Sequence, residues 1–484
     1  MRDRTRNNEN RFRGVVRGLM LAGLVVVALL APGCATVSER MTPNADEAVP
    51  VTEAGYRHEP GGATDPLPEN WWEVFQDPVL NELVVKLNVA NPDVSAALAR
   101  VDQSFAVLGI TRAAQSPTVA ADTSLGRRRQ SINNLLFPIA MPEYNRFQLG
   151  VSASWEVDLW GRIRSLVKRD RLRAEASALD YRQVVLSLQS SLTQQYFAWR
   201  ASAAELALLR RSHAHEQEKL TLQQARLDFG QGVAADVARA RLAVSQSATT
   251  LETAERGNGR LLNAIAVLVG VLPSELAALA EQEAAPLPPE IPVGLPSELL
   301  ARRPDLIAAD RRVRAAAAQV GVQRVGHLPR LTLVGNAGIA SLKANNLFEA
   351  DSGFFDIGPQ LDVPIFRGHI TRAAVAQARA QYREAAANYR SVFLKAVKEV
   401  DDALLDAKSY AREIAEQRAA VDAAAEAAEA AKVSHETGLG SYAEFLSADQ
   451  VRLQAAVRES AIASEQRLAA VRLIQALGGS WSHD

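Results

Sequence analysis

Seven histidines, at 58, 213, 215, 327, 369, 435 and 483, and a single cysteine, Cys34, are the residues of this 484-residue chain best suited to chemistry. A metal site or a catalytic triad needs such side chains at spacings that bring them together. His213 and His215 are two apart in a helical stretch, so they point to different faces, and no other histidine pair has ligand spacing. No Gly-rich phosphate loop follows a strand, and no nucleophile elbow is present. One cysteine excludes an intrachain disulfide framework and a cysteine-clustered zinc site. The residues therefore read as no enzyme, with no cofactor and no metal.

Cys34 suits a different reaction. Arg2, Arg4, Arg6, Arg11, Arg13 and Arg17 precede an uncharged run from Gly18 to Leu30, and Ala31-Pro32-Gly33 lead into the cysteine. That run is shorter than the ~20 residues a spanning helix needs, so 1–33 reads as a signal peptide. Small residues behind an apolar run place Cys34 where a bacterial lipoprotein is acylated. Ala31 replaces the usual leucine and Pro32 is atypical, so an ordinary signal cut nearby, leaving Cys34 idle, is the alternative. Residue 35 is alanine rather than aspartate, and nothing visible would retain such a lipoprotein at the inner membrane.

The whole chain carries 54 Lys+Arg and 55 Asp+Glu, a net charge of −1, which argues against a nucleic-acid partner. Loss of 1–33 removes six arginines and two acids, and the remaining 48 basic and 53 acidic residues carry −5. With 48% apolar and 23% charged residues the chain is too balanced for wholesale disorder.

Positioning elements come in two copies. A shift of 212 lays Pro92-Asp93 on Pro304-Asp305, then Arg100 on Arg312, Gly109 on Gly321 and Pro117 on Pro329. A shift of 208 lays Gly232, Ala240 and Gly270 on Gly440, Ala448 and Gly478, with Asp236 on Glu444. Each copy reads as a helix (about 79–114, then 297–327), two strands, and a long helical hairpin. Alternation is clearest at Phe147, Leu149, Val151, Ala153, Trp155, Val157 and Leu159, with polar residues or glycine between them. The expected boundaries follow: 34–78 an extended N-terminal segment, 79–285 the first repeat, 286–296 a Pro-rich linker, and 297–484 the second repeat. Strands are expected at about 117–128, 146–160, 329–341 and 353–366, and helix hairpins at about 161–270 and 368–478. Gly230 and Gly232, then Gly438 and Gly440, mark the hairpin turns.

Four strands cannot close a barrel alone, and open edges in lipid cost several kcal/mol per unpaired group. Their length and alternation fit bilayer strands of ~9–11 residues. Closure by three chains, giving twelve strands around a water-filled lumen, satisfies the edges. Ala-rich helices such as Ala423-Ala424-Ala425-Glu426-Ala427-Ala428 permit close antiparallel packing, so twelve helices could extend the tube. The alternatives are an exported helical scaffold and a soluble hairpin capping a bundle. Trp155 and Trp160, with counterpart Phe366, favour a membrane interface over the latter. Arg162, Arg164, Lys168, Arg169, Arg171 and Arg173 read as a solvated helix face, or else as a lipid-headgroup contact.

Four segments carry a resemblance: Trp72-x2-Phe75-x-Asp77-Pro78-x-Leu80, Ser154-Trp155-Glu156-Val157-Asp158-Leu159-Trp160-Gly161-Arg162, Gly294-Leu295-Pro296-Ser297-Glu298-Leu299-Leu300-x-Arg302-Arg303-Pro304-Asp305, and Ala476-Leu477-Gly478-Gly479-Ser480-Trp481. From about Trp71 to Trp481 the chain resembles the TolC-family outer membrane efflux proteins, in particular the lipoprotein branch serving RND-type multidrug efflux systems. The resemblance implies a mainly α fold with a transmembrane β-barrel: a homotrimer forming a 12-stranded barrel and a 12-helix periplasmic α-barrel. It implies outer membrane lipids, a periplasmic adaptor protein and an inner-membrane RND transporter as partners, with adaptor docking at the hairpin turns. By position, Asp236 and Glu444 match acids of the periplasmic gate. Ser447 stands where a second acid often falls, with Asp449 offset by two, and Gly440 where some members carry a gate-locking arginine. Both acids could equally be helix N-terminal residues complementing the macrodipole. Type I protein secretion and heavy-metal efflux are the alternatives within channels.

Overall fold

The computed structural model describes residues 37–44, 56–57, 70–129, 143–276, 291 and 302–479. The signal segment, Cys34 and all of the Pro-rich linker except Ile291 lie outside them. The chain divides into two units. A sheet unit comprises Met1–Val49, Val101–Ser177 and Ala309–Arg390, and a hairpin unit comprises Pro50–Arg100, Ala178–Ala308 and Ser391–Asp484.

In chain order the elements are α1 (Pro78–Ala90), α2 (Pro92–Ala113), β1 (Thr118–Arg129), β2 (Glu143–Val157), α3 (Arg162–Asp228) and α4 (Ala234–Val269). Then come α5 (Pro304–Arg324), β3 (Arg330–Ser341), β4 (Gly353–Asp362), α6 (Ile370–Glu436) and α7 (Tyr442–Leu477). The duplication is visible in the lengths: α3 and α6 have 67 residues each, α4 and α7 have 36 each. Among the described residues no helix is long and apolar enough to cross a membrane.

In the sheet unit the four strands form one antiparallel sheet in the order β1-β2-β3-β4. Register follows the alternation. Leu125, Phe147 and Ser341 align across the sheet, as do Ala121, Val151, Ala337 and Phe355. Odd-numbered residues of all four strands therefore share one face, because side chains alternate along a strand. That face exposes Val119, Leu125, Leu149, Val151, Trp155, Leu333, Phe355, Ile357 and Leu361. The opposite face carries Asp122, Ser152, Ser154, Asn336 and Gln360, and the Ser152 hydroxyl donates to Asp122 at 2.7 Å. Among the described residues β1 and β4 each pair on one side only, which leaves both edges of the sheet open. Gly338 has no room for a side chain, since a Cβ there would lie 2.3 Å from the Leu149 carbonyl oxygen.

The hairpin unit holds an apolar core in which Trp71, Phe75, Leu80, Leu192, Tyr196 and Ile265 are fully buried. Asp77 fixes its edge. Its carboxylate caps α1 by accepting from the Val79 and Leu80 amides, and it takes the Tyr196 hydroxyl at 2.9 Å and Arg200 Nη1 at 2.5 Å.

The structure departs from three sequence expectations. The single helix expected over about 79–114 is broken at Asn91, whose extended backbone is what a following proline imposes. Pro92 has no N–H, and the Asn91 side chain caps the new helix by accepting from the Asp93 and Val94 amides at 2.8 and 3.2 Å. The second helix likewise begins at Pro304; 297–301 lie outside the described residues. The strand expected to reach residue 160 stops at Val157. Asp158 leaves the sheet because its carboxylate caps α3, accepting from the Ile163 and Arg164 amides at 3.1 and 2.9 Å. β4 stops at Asp362, two residues before Pro364. In the segment expected to be extended, Val37–Arg40 form a helical turn, and Trp71–Phe75 form a 3-10 turn that buries its aromatics.

Both copies close in the same way. In the first, Gly270 ends α4 at φ 84°, and Asn91 Nδ2 donates to the Leu268 carbonyl at 2.8 Å. In the second, Gly478 ends α7 at φ 97°, and Arg303 Nη1 donates to the Ala476 carbonyl at 2.8 Å. In each case the residue before a helix-starting proline binds the carbonyl two places before the terminal glycine.

Candidate gate at the helix-hairpin tips

The two hairpin turns are superimposable in their bonding. Gly230 and Gly438 take φ of 71° and 76°, a region open to glycine and costly to other residues. The Gln231 amide reaches the Arg226 carbonyl at 2.8 Å, and the Leu439 amide reaches the Ser434 carbonyl at 2.8 Å, both at the sequence shift of 208. Space is tight at Gly232 and Gly440. A Cβ on Gly232 would sit 3.0 Å from the Leu227 amide nitrogen, and one on Gly440 would sit 2.6 Å from Ser434 Oγ.

Past the turns the two acids differ. Asp236, half-buried in the first turn of α4, is ion-paired to Arg239. Glu444, in the first turn of α7, belongs to a capping box: its amide donates to Ser441 Oγ at 3.2 Å and its carboxylate accepts from the Ser441 amide at 3.0 Å. Among the described residues no cation pairs with Glu444. Ser447, one turn on, is exposed on the same face and donates to the Ala443 carbonyl at 2.8 Å.

The opposite face of this turn binds α3, through Tyr442, Glu218, Gln450 and Ser212, which the sequence does not single out, and through His215 and Asp449, whose pairing it does not reveal. The Tyr442 hydroxyl donates to Glu218 at 2.9 Å, and that carboxylate, with some burial, pushes the phenol above its usual range. Asp449 is buried, accepts from Arg452 Nε at 2.5 Å and faces His215 Nδ1 at 3.4 Å. Gln450 donates to Ser212 Oγ at 2.6 Å. Glu218, His215 and Ser212 recur at three-residue spacing, so they form one stripe of α3 that zips the second hairpin to the first. Pairs separated by more than 200 positions leave no local signal. The Ser441-x-x-Glu444 box, by contrast, is a local motif legible as it stands.

In the sheet unit, Trp155 lies on the apolar face and its indole N–H donates to the Gln115 carbonyl at 3.0 Å. Trp160 is half-buried, donating to the Pro329 carbonyl at 2.7 Å, and Phe366 is 88% exposed. Most of the basic cluster is neutralised locally. Arg162 pairs with Glu156, Arg164 with Asp158, Arg169 and Arg173 with Asp170, and Arg171 with Glu175. Among the described residues no group of His, Cys, Asp and Glu side chains forms a metal site.

The match that decides the family covers both repeats: the model described as outer membrane efflux protein fits residues 83–271 and 295–479. The chain belongs to the outer membrane efflux protein family. Among relatives, a probable efflux pump outer membrane protein, TtgC of Pseudomonas putida, is 30% identical over 465 residues, spanning 95% of this chain and 96% of the relative. Outer membrane protein OprJ of Pseudomonas aeruginosa is 28% identical over 472 residues, spanning 94% and 95%. Among solved structures, the Campylobacter jejuni CmeC outer membrane channel has a TM-score of 0.82 at 25% identity, covering 92% of this chain and 96% of that one. As an efflux family member the chain is an outer membrane protein, mainly helical with one small sheet.

Proposed function

We propose that this efflux protein is the exit duct of a tripartite RND-type assembly, carrying small toxic compounds from a periplasmic adaptor and an inner-membrane pump to the exterior. The observation that carries the reading is the sheet: four antiparallel strands with a largely exposed apolar face, a polar opposite face and two open edges among the described residues. Backbone groups at such edges must be paired in hydrocarbon, so three copies close a twelve-stranded barrel whose bore is the polar face. The helix hairpins continue the duct into the periplasm, with Glu444 and Ser447 facing the pore at its tip and the glycine turns meeting the adaptor. Three Glu444 carboxylates around one axis favour cations there. Cys34, acylated, anchors the mature chain to the outer membrane. Trp155, Trp160 and Phe366 mark the periplasmic interface of the barrel. Relatives named for toluene, solvent and antibiotic efflux support small apolar or amphipathic compounds as cargo over a secreted protein.

A strain lacking the protein, tested against dyes, detergents, solvents, antibiotics and metals, checks this reading. Susceptibility to several of these rises, and the intact chain restores resistance. Unaltered susceptibility to all of them contradicts it.

A further inference from the structure

Where β2 and β3 meet α3, α5 and α6, the sheet unit contains a cavity of about 360 Å³, a volume within the range of small-molecule sites. Two chemistries line it. Leu166, Val322, Leu328 and Ile370 give it an apolar side, and Trp160 is held in its wall by the bond to Pro329. Four arginines give it a cationic side.

Two of those arginines are committed to the wall. Arg162 makes paired bonds to Glu156 at 3.0 and 2.7 Å, and Arg169 holds Asp170 and reaches Gln319 at 2.8 Å. The other two are not. Arg367 stands 3.6 Å from Asp362, a long and partly solvated pair. The Arg330 side chain makes no hydrogen bond or ion pair among the described residues, and the carboxylate of its cross-strand neighbour Asp362 lies beside Arg367. The cavity therefore offers apolar surface beside one unpaired and one weakly paired guanidinium.

The cavity sits at the strand ends, where Val157 of the odd-numbered set also lines it, and register places only its charged strand residues. Glu156 and Arg330 are even-numbered in strands whose odd residues form the apolar face, so they share the polar face with Ser152, Ser154 and Asn336. On the exit-duct reading, on which this placement rests, that face is the bore, and passing cargo reaches the cavity from the Arg330 side.

We infer that the cavity binds a small organic anion, a carboxylate, sulfonate or phosphate ester on an apolar body of one or two rings, in the wall of the duct. Arg330 and Arg367 take the anionic group through the planar guanidinium fork, and the apolar side takes the body. Neither half of such a ligand suffices: inorganic anions lack the buried area, and cations of the same shape meet the arginines.

Calorimetric titration of the purified full-length protein with naphthalene-1-sulfonate tests this, against inorganic sulfate and 1-naphthylmethylammonium, with detergent alone as the blank. The sulfonate binds once per chain, while sulfate and the ammonium compound do not. Arg330→Gln, at an exposed position, weakens the sulfonate about tenfold or more, and Thr371→Trp, which fills the cavity, abolishes binding. If Thr371→Trp fails to fold, Arg330→Gln decides alone. Absent sulfonate binding, equal binding of the ammonium compound, or an unchanged Arg330→Gln affinity overturns the site. Because the titration needs neither adaptor nor pump, its failure leaves the exit-duct reading intact, and failure of the susceptibility test leaves the site.

Discussion

Glu444 carries two duties on one side chain. One carboxylate oxygen caps its own helix through the Ser441 amide, and no cation neutralises the charge among the described residues. Asp236, its counterpart in the first repeat, is paired to Arg239. The duplicated positions have therefore diverged, and on the proposed duct the pore charge would rest on Glu444. Replacing it with glutamine keeps an acceptor for the capping box and removes the charge. Planar-bilayer recordings of Glu444→Gln then show a reduced preference for cations and weaker block by divalent cations, with little loss of stability. Unchanged selectivity contradicts the assignment. The Tyr442–Glu218 bond is a separate matter, since it ties the two hairpins together next to the turn. A hydrogen bond to a carboxylate at a largely exposed site is worth about 1 kcal/mol, enough to shift a closed–open balance about fivefold. Tyr442→Phe accordingly raises the frequency of channel opening about that much, and Glu444→Gln does not. Asp236 and Glu444 were legible because they follow glycines repeated at a fixed shift. Tyr442 and His215 were not, since their partners are brought close only by the packing of separate helices.

At the scale of elements, the terminal glycines show how closely the repeats are built. Gly270 and Gly478 both have positive φ, but a Cβ on Gly270 would lie 2.5 Å from the Ala90 carbonyl oxygen, against 3.1 Å from that of Arg302 for Gly478. Gly270→Ala therefore costs more than Gly478→Ala, at least about 2 kcal/mol from backbone strain and the clash together. Gly109→Ala, inside α2 with open space around it, is neutral or stabilises by up to about 1 kcal/mol. Thermal unfolding of the three variants gives the order, and equal losses at Gly270 and Gly478 would contradict it. Asn91→Ala removes a helix cap and the bond to Leu268 at once, for about 1–2 kcal/mol. The alternation of β2 and the 67-residue helices were plain in the pattern because period and length are local properties. The break at Asn91 was missed although Asn-Pro is a local signal, because the apolar periodicity of α1 runs on through α2 in the sequence. Strand ends were overestimated where alternation outlasts pairing: Leu159 continues the pattern, but Asp158 has already turned to cap α3.

At the scale of the whole molecule, near-neutral charge and ordinary hydropathy conceal a membrane protein for a physical reason. A barrel strand turns only alternate residues to lipid, and here those residues are the exposed odd-numbered set of the sheet. The open edges at β1 and β4 demand partners in hydrocarbon, and on the proposed duct further copies of the same chain would supply strands of matching length and facing. On the proposed acylation, Cys34 would add an anchor that barrel closure does not need. Cys34→Ser therefore removes the acyl mass from the mature protein, as read by mass spectrometry, without altering the number of copies. An unchanged mature mass pattern contradicts lipidation. Closure of one pore by three chains is checked by native mass spectrometry of the protein extracted from outer membranes in mild detergent. A single dominant species of three chains that conducts when reconstituted is expected. A monomer, or an assembly whose strands do not sum to twelve, contradicts it.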